Sequence, residues 1–125
     1  MRILIADGQS RVRYALKVLL EQQPNWSVVG EAGRFEELLE RVRELEPDLL
    51  LLDWVLPGKA LVEALAAIRG YSPDLRIIFL SETAEAVPAS LAAKVDDLAS
   101  KTNPPDELLA AIQSCEKRRE GHGEA

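Results

Sequence analysis

The chain has 125 residues, 47% hydrophobic and 29% charged, which is enough for one domain with a core of its own and excludes a disordered chain. No apolar run approaches the ~20 residues of a membrane span, and Asp7, Arg11 and Arg13 interrupt the early apolar stretch that a signal peptide would need. Fifteen basic against 21 acidic residues leave a net charge of −6, so this chain by itself is a poor partner for the nucleic-acid backbone.

Arg2–Ala6 reads as a first strand. Ser10–Gln23 reads as a helix with Val12, Ala15, Leu16, Leu19 and Leu20 on one face, stopped by Pro24 and Asn25. Trp26–Glu31 is a second strand. Phe35–Leu45 is a second helix with Leu38, Leu39, Val42 and Leu45 inward, closed by Pro47. Leu49–Leu52 is apolar at every position, the pattern of a strand covered on both faces in a parallel sheet.

Pro57 and Gly58 mark a turn. Leu61, Ala64, Leu65 and Ile68 line a third helix that Gly70 is expected to end. Leu75–Leu80 is a fourth strand, Ala84–Ala93 an Ala-rich helix interrupted by Pro88, and Val95–Ala99 a short fifth strand. Asn103 is the expected N-cap of a last helix, with Pro104 at its first position and Leu108, Ala111, Ile112 and Cys115 inward. Lys117, Arg118 and Arg119 suit its C-terminal end. Residues 119–125 read as a polar tail or the start of a linker, after a domain spanning 1–118. Cys115 is the only Cys and His122 the only His, which excludes an internal disulfide or a His/Cys zinc site. With no signal segment in view, the expected compartment is the cytoplasm, and no membrane partner is expected.

Five βα repeats demand a parallel sheet with helices on both faces, joined by right-handed crossovers. Ligands in such folds sit beyond the C-terminal ends of the strands. Asp7, Asp53, Ser81 and Lys101 all fall there. Two carboxylates, a hydroxyl and an ammonium in one pocket suit phosphoryl transfer to a carboxylate, with the cationic group pairing with phosphoryl oxygens. A nucleotide-binding enzyme is disfavoured, because "ADGQSR" after the first strand has a single Gly and no phosphate-loop pattern.

The segments "ILIADGQS", "VVGEA", "PDLLLLDWVLPG", "LRIIFLSE" and "LASKTNPPDELLAAI", in this order, resemble the receiver domain of two-component response regulators, and "VVGEA" most resembles the NarL/FixJ type. The resemblance implies a CheY-like, flavodoxin-like α/β fold: a doubly wound five-stranded parallel sheet, (βα)5, in strand order 2-1-3-4-5. It implies a signalling module rather than an enzyme, with Asp53 as phosphoacceptor and Lys101 and Ser81 as its catalytic companions. Mg2+ would be held by Asp7, Asp53 and the backbone carbonyl of Val55. A sensor histidine kinase is the implied partner, with a homodimer through the helix 4–strand 5–helix 5 face and a DNA-binding domain C-terminal to this one.

The sequence also departs from the family pattern. Gly8 stands where a second acidic residue usually binds the metal, so weakened Mg2+ binding and weak or absent phosphorylation are expected. Glu82 replaces a small residue after Ser81; it either obstructs the pocket mouth or supplies the oxygen that Gly8 lacks. Leu98 takes an aromatic switch position and Thr102 that of a Pro. A phosphorylation-independent interaction module is therefore the alternative reading.

Overall fold

A computed structural model describes the backbone of residues 1–56, 61–82, 87–101 and 104–124, and the side chains of those up to residue 117. The elements alternate as β1 (Arg2–Ala6), α1 (Ser10–Glu21), β2 (Ser27–Ala32), α2 (Phe35–Leu45), β3 (Leu49–Asp53), α3 (Leu61–Tyr71), β4 (Arg76–Ser81), α4 (Ala89–Ala92), β5 (Asp97–Ser100) and α5 (Pro105–Glu124). The strands form one parallel sheet in the order β2-β1-β3-β4-β5, as the resemblance implied.

The all-apolar β3 runs through the middle, and its alternate side chains enter two separate cores. Leu50 and Leu52 join Leu4, Ala6, Ile77 and Phe79 beneath α2 and α3. Leu49 and Leu51 join Ile3, Ile5, Ile78 and Leu80 beneath Leu20 of α1 and Leu108, Ile112 and Cys115 of α5. All of these are buried, so each face of the strand is dry.

Local chemistry sets the element ends. Glu46 adopts a left-handed conformation (φ 46°) and caps α2 through its N–H to the Val42 carbonyl at 3.2 Å. Pro47 disfavours the right-handed helical region for the residue before it, which ends the helix there. Gly30 in β2 lets α2 approach: a Cβ at that position would lie 2.5 Å from Leu45 Cδ1.

Several boundaries differ from the sequence reading. Helix α3 passes through Gly70 to Tyr71, because helical backbone is open to Gly and this Gly adopts no left-handed conformation that would end the helix. Among the described residues, the expected Ala84–Ala93 helix is present only as Ala89–Ala92. Pro88 is its N-cap, with a carbonyl that accepts from Leu91 and Ala92 N–H, because Pro cannot supply the N–H of a helix interior. Residues 83–86 lie outside the described residues, as do the turn at Pro57 and Gly58, and Asn103 and Thr102. Pro104 precedes α5, whose first helical residue is Pro105. Strand β5 starts at Asp97, two residues later than read, because Asp96 turns back to bind β4 through its carboxylate to Ile77 N–H at 2.8 Å. The backbone of α5 stays helical to Glu124, across the residues read as a polar tail.

Helix α1 is the least buried long helix of the sheet's second face. Of its apolar stripe only Leu20 is fully buried. Val12, Leu16 and Leu19 are half-buried and Ala15 is exposed. Together with Leu108 and Pro105 of α5 they line a cleft of about 240 Å³ that reaches Ser100 and Lys101. No helix among the described residues is long and apolar enough to cross a membrane.

Candidate functional site

Parallel strands place all their C-terminal ends along one edge of the sheet, and the register then decides which ends meet. Ala6 pairs with Leu52, so Asp7 and Asp53 emerge side by side from β1 and β3. Ser81 pairs with Ser100, and the next residue, Lys101, donates its backbone N–H to the Ser81 carbonyl at 2.7 Å. The four positions named from the sequence are thus brought to one end of the sheet. Asp7 is 0%, Ser81 2% and Asp53 4% exposed, which makes them the buried polar residues of the described chain.

Lys101 joins the two carboxylates. Its Nζ lies 2.6 Å from Asp7 Oδ2 and 3.1 Å from Asp53 Oδ2. Beside this ammonium, no hydrogen-bond donor among the described residues reaches Asp7 Oδ2. The other carboxylate oxygens bind the turns that follow their strands: Gln9 N–H donates to Asp7 Oδ1 at 2.8 Å, and Val55 N–H donates to Asp53 Oδ1 at 3.2 Å. Each Asp therefore shapes its own loop while facing the ammonium. Burial by itself pushes the Lys101 pKa down, but hydrogen bonding to Asp7 and Asp53 and their negative charges outweigh it, and the net shift is upward.

Arg13 is a support that the sequence reading missed. Its guanidinium donates to the Asp7 backbone carbonyl at 2.7 Å and pairs with Glu31 at 3.1 Å. It fixes the chain after β1 from the first turns of α1. Glu31 belongs to the quoted "VVGEA" segment, and that was the one signal available.

The other residues singled out in the sequence lie outside this trio. Val55 is exposed, and its N–H is spent on Asp53. Glu82 is exposed, and its backbone carbonyl accepts from Ser100 Oγ at 3.1 Å. Trp54, Leu91 and Leu98 are half-buried and pack against the core beneath α2 and α3, Leu98 filling the aromatic switch position as core packing. Cys115 is buried in the opposite core.

This fold, with an acidic pair and a lysine at the C-terminal edge of a 2-1-3-4-5 sheet, defines a receiver domain. The chain belongs to the response regulator receiver domain family, whose model matches residues 3–113. It is 35% identical to the nitrate/nitrite response regulator protein NarL of Escherichia coli K12 over 115 residues, covering 90% of this chain and 53% of that protein. It is 28% identical to the response regulator protein VraR of Staphylococcus aureus, covering 94% and 57%. The chain spans about half the length of such relatives. Among solved structures, a two-component response regulator of the LuxR family from Aurantimonas matches with a TM-score of 0.79 at 30% identity, covering 90% of this chain and 82% of that one. The receiver domain of AraT from Geobacillus stearothermophilus matches with 0.84 at 25%, covering 98% and 97%.

Receiver domains typically bind Mg2+ in this acidic pocket. The residues present here do not fit that ion. Mg2+ requires near-octahedral oxygen coordination at about 2.1 Å. Here Gly8 contributes no side-chain oxygen, and each of the four carboxylate oxygens of Asp7 and Asp53 already faces a donor. No three His, Cys, Asp or Glu side chains cluster as a metal site among the described residues.

Proposed function

We propose that Asp53 is the phosphoacceptor of this receiver and that it is phosphorylated slowly, with a sensor histidine kinase as the donor. The bridged Asp7–Lys101–Asp53 trio carries this reading, because it places a carboxylate nucleophile beside a cation able to pair with an incoming phosphoryl group. In the transfer, Asp53 Oδ2 attacks phosphorus and the P–N bond of a phosphohistidine breaks. The electron pair stays on the imidazole nitrogen. The Lys101 ammonium then follows a phosphoryl oxygen, and the Ser81 hydroxyl donates to another. The charge of the donor is poorly screened because Gly8 supplies no anionic ligand for a metal, so Mg2+ binding is weak. Glu82 adds negative charge one residue beyond Ser81.

Incubation with acetyl phosphate followed by intact mass measurement tests the reading. Wild type should gain the mass of one phosphoryl group, and Asp53→Asn should not. A wild type that stays unlabelled, or an Asp53→Asn variant that labels equally, overturns it.

The second reading is a phosphorylation-independent interaction module. The four engaged carboxylate oxygens favour it, since they describe a pocket whose charge is already partly compensated from within. Under either reading the chain works as a signalling module in the cytoplasm. It is joined at its C-terminal side to a DNA-binding output domain, as the greater length of its relatives suggests. The face formed by α4, β5 and α5 is the proposed homodimer contact. Sedimentation should show a concentration-dependent dimer without phosphorylation, and a strict monomer at high concentration would refute that contact.

A further inference from the structure

We infer that Lys101 is the resident cation of this pocket, holding the Asp7–Asp53 pair together in place of a divalent metal, and that the missing carboxylate at Gly8 is what leaves it in that role. The inference deepens the receiver reading and rests on it for the identity of the pocket, but not on whether Asp53 is ever phosphorylated.

The support is an inventory of donors and acceptors. Four carboxylate oxygens enter the site. Two are taken by the N–H groups of Gln9 and Val55, at 2.8 and 3.2 Å, and two face one ammonium, at 2.6 and 3.1 Å. A hard cation would have to compete with Lys101 at both acids for its two anionic ligands, and it would still lack the third. The ammonium is also well anchored, since its backbone is tied to β4 through the Ser81 carbonyl and its side chain is only 15% exposed.

Asp7 has no solvent contact, so an uncompensated charge there would be costly, and an internal partner removes the need for an external one. The trio keeps one formal negative charge in excess. That charge draws cations toward the edge of the site without offering them a complete shell.

Thermal unfolding of the full chain, with and without about 10 mM MgCl2 at matched ionic strength, tests this, because a ligand that binds the native state raises the midpoint. The wild-type midpoint should move by less than about one degree. Lys101→Met should melt lower without metal and regain several degrees with Mg2+, which would then find two vacated carboxylates. Gly8→Asp keeps Lys101, adds the third carboxylate and should acquire a Mg2+-dependent rise. It therefore decides the matter even where Lys101→Met does not fold. A wild-type midpoint that climbs several degrees with Mg2+ overturns the inference. So does a metal-free Lys101→Met as stable as wild type, or a Gly8→Asp protein as indifferent to Mg2+ as wild type. Failure of acetyl phosphate labelling would leave all three melting results unchanged, so the two readings fail separately.

Discussion

Lys101 places one positive charge between two carboxylates that have almost no solvent contact. Its pKa in the folded chain lies above its value in the unfolded chain. The resulting stabilisation is fully present below the unfolded pKa and is lost as pH rises through the folded one. Wild-type stability should therefore fall above about pH 10, where lysines titrate, while Lys101→Met, less stable throughout, should lack this part of the decline. Urea titrations over the alkaline range would show it, and parallel curves for the two proteins would contradict it.

Asp7, Asp53 and Ser81 were legible in the sequence because each directly follows a short apolar run, and Lys101 because it stands between the short fifth strand and the start of the last helix. Arg13 was not legible. Its partners are a backbone carbonyl and a Glu on the neighbouring strand, and neither contact follows any spacing along the chain.

At the scale of elements, burial is uneven along the helices. In α1 Leu20 is fully buried, whereas Leu16 lies half-buried along the open cleft against α5. Leu20→Ala should cost about 2–5 kcal/mol, as other Leu→Ala changes in closed cores do, and Leu16→Ala roughly half as much. Equal losses in denaturant unfolding would mean that the cleft is closed in solution.

Helix existence was readable from apolar spacing in four cases and from an Ala-rich stretch for α4, but several ends were not. Gly70 carries no left-handed turn and simply continues α3. The Ala-rich pattern before Pro88 suggested a longer α4, yet the Pro acts as N-cap and the described helix begins only after it. Propensity decided the first reading, while the missing N–H of Pro88 sets where the described helix starts.

Across the whole molecule, the sheet separates two cores and β3 serves both. Leu50 points to one and Leu51 to the other, each fully buried. Leu50→Ala and Leu51→Ala should therefore each cost about 2–5 kcal/mol. In a sheet with one wet face, one of the pair would be nearly neutral. Trp26 adds a link between distant parts of the chain, since its indole N–H donates to Glu116 Oε2 of α5 at 2.6 Å. The continuous apolar run Leu49–Leu52 made the double covering legible in advance. Strand order was a different matter: periodicity states which face a side chain takes and is silent on which strand lies beside which. Only the resemblance of ordered motifs supplied the sequence 2-1-3-4-5.

The receiver account, with a pocket one carboxylate short, is tested most directly by the rate at which acetyl phosphate labels Asp53 in the presence of Mg2+. The rate is compared between wild type and the double variant Gly8→Asp/Glu82→Ala. The double variant should label about tenfold faster or more, a difference equivalent to about 1.4 kcal/mol in the barrier, and Glu82→Ala alone should give a smaller gain. Wild type labelling as fast as the double variant would show that the pocket is complete as it stands and would contradict the account.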